Sequence, residues 1–131
     1  MNAKNFLLSG IAGGITDFLL GWLLYGMLFR DYFAGPEPNM VYIFLGCMTF
    51  GMIVSYTIVR WADLKTFAAG LKAGAAIGFL YGLADNFFTS SGTTTVNYEK
   101  FAVDVVIMLI MGAGVGAVVA LVNGALSKTA A

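Results

Sequence analysis

Three carboxylates set inside apolar runs, Asp17, Asp85 and Asp104, are the residues of this chain best suited to chemistry. A membrane-buried acid can bind a proton, pair with a cation or tie one helix to another. The other usual agents are missing. The sequence has no histidine, which removes the commonest general base and metal ligand. Its single cysteine, Cys47, lies in an apolar run, so neither an internal disulfide nor a cysteine-rich metal site can form. There is no activated nucleophile and no haem-ligating histidine, and the seven methionines read as flexible core filling. The chain is therefore expected not to be an enzyme and to carry no cofactor or metal.

The elements that must position these acids follow from composition. Of 131 residues, 60% are hydrophobic and 11% charged, against about 25% charged in soluble domains. Such a chain cannot coat a soluble globule, and the lipid bilayer is its expected partner. Seven basic and seven acidic residues cancel, so net charge points neither to nucleic acid nor to an acidic membrane surface. The expected fold class is all-α, a single transmembrane four-helix domain over residues 1–131. Four apolar runs, near 5–29, 40–60, 66–88 and 100–123, reach the roughly 20 residues a helical span needs. They lack the strict alternation of a membrane barrel. Pro36 and Pro38 break the chain in the first connection, 61–65 forces a tight hairpin, and Asn97 is placed to cap the fourth helix. The first run is too long for a signal peptide and lacks a small-x-small cleavage site, so it reads as a retained helix. Lys4, Arg60, Lys65, Lys72 and Lys128 fall on one side, Arg30 and Lys100 on the other. The positive-inside rule then places both termini in the cytoplasm.

Small residues recur every fourth position. Gly70, Gly74, Gly78 and Gly82 make one bare stripe on the third helix, and Gly112, Gly116, Ala120 and Gly124 another on the fourth. Gly10 and Gly14 on the first helix, with Cys47, Gly51 and Ser55 on the second, repeat the spacing. In water each helical glycine costs roughly 1 kcal/mol relative to alanine. In lipid, small residues let backbones approach, and these GxxxG-type faces read as packing faces. An antiparallel third and fourth helix would set the Gly70–Gly78 level against Gly116–Gly124, tight on the inner side and splayed on the outer.

Asp17 shares the small face of helix one, seven residues after Gly10 and three after Gly14, close to the bilayer midplane. A carboxylate there costs about 2.5–3.5 kcal/mol even on the lenient insertion scale. It must be carried neutral, hydrogen-bonded to Ser, Thr or Tyr of another helix, or open to a water-filled cavity. Asp85 and Asp104 fall roughly 11–12 Å toward the outer side at a helical rise per residue. With Asn86 beside them and Arg30 reaching down, they make an outer polar cluster, either a structural lock or an outward-opening pocket. Trp22, Tyr25, Phe29, Tyr32, Phe33, Phe87 and Phe88 read as an aromatic belt at that interface.

The run Phe18-Leu19-Leu20-Gly21-Trp22-Leu23-Leu24-Tyr25-Gly26-Met27-Leu28-Phe29, and Phe101-Ala102-Val103-Asp104 leading into Gly112 and Gly116, resemble a bacterial family of small four-helix membrane proteins of unknown function. The resemblance implies a four-helix fold in a bacterial inner membrane and no particular activity. Two functional readings remain open. One is a structural or accessory membrane module that forms homo-oligomers or packs in a larger membrane complex. The other is a small oligomeric transporter or proton-permeation unit that uses Asp17.

Overall fold

Four apolar helices form where the four apolar runs lie. The structure is a computed structural model that describes residues 3–28, 31–32 and 39–130. Helix α1 covers Ala3–Leu23 and continues as a π-helical turn over Leu24–Leu28. Helix α2 covers Met40–Ser55 and likewise continues over Tyr56–Trp61. Helix α3 spans Phe67–Ser90 and α4 spans Tyr98–Ala130. No strand occurs among the described residues. All four helices are long and apolar enough to cross a membrane. Phe29, Arg30, Phe33, Pro36 and Pro38 lie outside the described residues, and with them the expected place of Arg30 in the outer cluster.

Local chemistry explains the helix starts. The Asn39 side chain accepts from the Val41 amide at 3.0 Å, Thr66 from Ala69 at 3.3 Å, and Asn97 from Lys100 at 3.1 Å. Each satisfies an amide that the first turn leaves without a carbonyl partner. Asp63, between α2 and α3, takes a left-handed backbone with φ of 48°, a conformation that Asp tolerates better than most residues.

Helix α1 joins the two hairpins, packing on α2 and on α4, while α3 lies chiefly along α4. The buried centre holds Phe50, Val54 and Ile58 from α2 and its extension, with Val115, Val119 and Ala120 from α4. Ala73 and Ile77 of α3 rest against it. Outward faces stay apolar: Tyr42, Leu45, Leu80 and Phe88 are all exposed, as lipid contact requires.

The glycines decide how near the helices come. A Cβ added at Gly74 would land on the Gly112 carbonyl oxygen, and one at Gly78 on the Met108 carbonyl oxygen. At Gly70 it would meet Gly116 and Ala120, and at Gly82 the Met108 side chain. Gly10 faces Met52 and Ser55, and Gly14 faces Met48 and Cys47. The register differs from expectation. Gly70–Gly78 lies against Met108–Ala120, about one turn along α4 from the anticipated level. Gly124 therefore meets the Lys65 carbonyl oxygen of the α2–α3 connection rather than α3. Nor does the pair splay early, since at Gly82 a Cβ would stand 2.9 Å from Met108 Cβ. Helix α4 also runs on past the expected end at 123, because the turns beyond it carry Ser127, which bonds α1.

Gly46 is the contrast, with nothing within 4 Å of a Cβ built there. Replacing Gly74 with alanine is expected to lower thermal stability by about 1–3 kcal/mol, the usual cost of overpacking. Gly46→Ala should leave stability unchanged or raise it by up to about 1 kcal/mol, because alanine favours helix. Parallel thermal melts of the two variants in one detergent would check both signs.

Candidate functional site: a buried acid between two polar clefts

Every fourth residue of α1, from Asn5 through Ser9, Gly13, Asp17 and Gly21 to Tyr25, falls on one ridge, as helical geometry requires. Asn5, Ser9, Gly13 and Asp17 are buried, and Gly21 and Tyr25 partly so. The ridge thus carries polar or small groups along the inner side of the helix that contacts both α2 and α4.

Asp17 is at the middle and only 6% exposed. The polar side chain set beside it is the Cys47 thiol of α2. Cys47 reaches it because Gly14, three residues before Asp17, lets the Cys47–Met48 backbone come close. The Oδ1 oxygen of Asp17 has no hydrogen-bond partner among the described residues, and neither does the buried Ser9 hydroxyl. Buried polar atoms are nearly always satisfied, so an orphaned carboxyl oxygen is a strong departure.

Toward one end of the bundle lies a cluster around Asp104. Tyr25 O–H donates to Asp104 Oδ1, and Asn86 Nδ2 donates to Asp104 Oδ2 at 2.6 Å and to the Gly82 carbonyl at 2.8 Å. Asp85 is exposed and lines the same cleft of about 290 Å³, together with Thr89, Ser90 and Lys100. Asp85, Asn86 and Asp104 are thus brought together. Tyr25, expected in an aromatic belt, is instead the group that ties α1 to them. Its position eight residues beyond Asp17 on one helix was the available signal. Lys72 is exposed.

At the opposite end a second cluster joins the start of α1, the α2–α3 connection and the late part of α4. Asn5 Nδ2 donates to Asn123 Oδ1 at 3.4 Å and to Ser127 Oγ at 3.3 Å. Asn123 is 1% exposed, and its Nδ2 donates to Asp63 Oδ1 at 3.1 Å and to the Leu64 carbonyl at 2.9 Å. Lys65 pairs with Asp63 at 3.4 Å. These groups border a cleft of about 300 Å³. Sequence reasoning passed over Asn5 and Asn123, although a lone asparagine in the apolar run Val118–Leu126 was a visible anomaly.

Apolar side chains stand beside the ridge on either side of Asp17. A Cβ at Gly13 would stand 2.7 Å from Val119 Cγ2 and 3.2 Å from Val115 Cγ1, and both valines are fully buried. On the other side the Met111 methyl lies 3.3 Å from the Cβ position of Gly21. Among the described residues, no group of three or more Cys, Asp and Glu side chains could hold a metal ion. Comparison with protein-family models, with curated proteins and with solved structures finds no match for this chain.

The Asn123 amide, and secondarily Lys65, hold the Asp63 carboxyl below the usual carboxylate range. Its folded-state value lies below its unfolded one, so its contribution to stability is intact above the ordinary value of about 3.9. That contribution is lost as pH falls through the lowered value. Thermal melts through this acid range should show a steeper loss for the wild type than for Asp63→Asn. Equal slopes would contradict the Asn123–Asp63 linkage.

Proposed function

We propose that the chain is a structural or accessory module of a bacterial inner membrane, with both termini cytoplasmic, that self-associates or seats in a larger membrane complex. The observation that carries this reading is how its surfaces divide. Glycines on α1, α3 and α4 are spent on contacts within the chain, while a lateral face of α2 stays open. Tyr42, Gly46, Thr49 and Ile53 share that open face at helical spacing and are all exposed. Small residues on a lipid-facing helix favour close contact with a second helix. The excess of lysine and arginine beside the Asn123 end supports the cytoplasmic placement of that end. The likeness of Phe18–Phe29 and Phe101–Asp104 to the bacterial four-helix family is in keeping with the same role. Wild-type protein in nanodiscs is expected to run as an oligomer by light scattering and Gly46→Leu as a monomer. A monomeric wild type that captures no membrane partner by crosslinking in its native membrane would contradict the reading.

A second reading, a small proton-exchange unit, is favoured by one specific observation, the unpartnered oxygen of a buried Asp17. In that reading Asp17 is the coupling acid and the clefts are its two approaches. Proteoliposome proton flux should then fall to the protein-free leak in Asp17→Asn. Equal flux in wild type and variant would exclude it.

A further inference from the structure

We infer that Asp17 is a one-sided proton-binding site, reached from the Asp104 cleft by way of Tyr25 and sealed from the Asn123 cleft by Val115 and Val119. It rests on the exchange reading only in needing Asp17 to take up and release a proton. Net transport is not required.

The chemistry of the neighbours selects the ligand. A small hard cation takes six or more oxygens, whereas Asp17 has a thiol beside it and one carboxyl oxygen with no partner among the described residues. A proton needs only that oxygen. The titratable groups facing Asp17 are few. Cys47 faces it from α2, Tyr81 of α3 lies within electrostatic reach, and Tyr25 does so from its own helix. Helix α4 presents apolar side chains at the flanking levels, and its Asp104 is linked to this ridge through Tyr25.

The two approaches differ in kind. Toward the Asn123 end, two β-branched valines press on Gly13, and beyond them Ser9 is itself fully buried. β-Branched side chains are stiff at χ1, so this seal does not open by rotamer change. Toward the Asp104 end, Met111 lies over Gly21. Its unbranched thioether has several rotatable bonds and can swing aside. Tyr25, the next residue on the ridge, lies within electrostatic reach of Asp17, Asp85 and Asp104 together. A proton entering the cleft binds Asp104, which then donates to the Tyr25 oxygen in place of accepting from it. The Tyr25 hydroxyl turns toward water admitted beside Gly21 and gives its own proton to that water as it takes the one from Asp104. The water passes a proton on to Asp17.

Oriented proteoliposomes of the full chain, subjected to a pH step in the bath, test this by time-resolved infrared spectroscopy. The readout is the carboxyl band that Asp17→Asn deletes. With the Asp104 end facing the bath, the band follows the step, is delayed in Tyr25→Phe and is faster in Met111→Ala. With the Asn123 end facing the bath, it follows only after a protonophore equalises the two sides. Val115→Ala combined with Val119→Ala, which removes both branched side chains from Gly13, opens the second approach and removes that dependence. A band that follows equally from both sides, or an unaltered rate in Tyr25→Phe, overturns the one-sided path. Absence of any Asp17 band across the pH range overturns the site itself. Flux insensitive to Asp17→Asn, with one-sided protonation retained, would defeat the exchange reading and leave this inference standing.

Discussion

Lipid gives helices no hydrophobic reward for associating, so what holds them together must come from contact, hydrogen bonds and the avoidance of unsatisfied polar groups. In this protein that constraint is met by removing side chains. Where Gly74 and Gly78 face Gly112 and Met108, the α-carbons themselves form the contact surface, and even one methyl group would strike a carbonyl oxygen. The arrangement of every polar group depends on that close approach. It fixes the register of α3 on α4, which brings Asn86 to Asp104, and the register of α1 on α2, which brings Cys47 to Asp17.

The same constraint sorts the polar groups by depth. At both ends, where water and headgroups are near, they are bonded to one another across helices, through Tyr25, Asn86 and Asp104 at one end and Asn5, Asn123 and Asp63 at the other. Deeper along α1, buried oxygens of Asp17 and, two turns nearer the helix start, Ser9 have no hydrogen-bond partner among the described residues. A carboxyl group in that position is among the least favourable things a membrane helix can carry. Its retention beside a thiol, between a stiff valine seal and a movable methionine, is the feature from which a proton-binding role was inferred.

Much of this was legible in the sequence, and the parts that were not share a cause. The four helices were visible because an apolar run of spanning length has few alternatives in lipid. Asn97 as a helix cap was visible because capping is local. The depth and face of Asp17 followed from spacing along one helix. The polar neighbour of Asp17 did not, because Cys47 reaches it through the register of a different helix, and its bland apolar context hid it among packing residues. Gly124 belonged by spacing to the stripe on α4, yet a one-turn shift hands it to the Lys65 carbonyl. Tyr25 and Asn123 were within reach of sequence reasoning: one shares the ridge of Asp17, and the other stands alone among apolar neighbours.

The contact on which the rest depends can be observed without perturbing it. Magic-angle-spinning NMR of isotope-labelled chain, diluted into unlabelled chain in bilayers, reads whether Gly74 touches Gly112 and Gly116 within one molecule. The packing described above predicts glycine–glycine cross-peaks whose intensity per labelled chain is unchanged by dilution. Cross-peaks that fade as unlabelled chain is added, or that are missing from the undiluted sample, would contradict it.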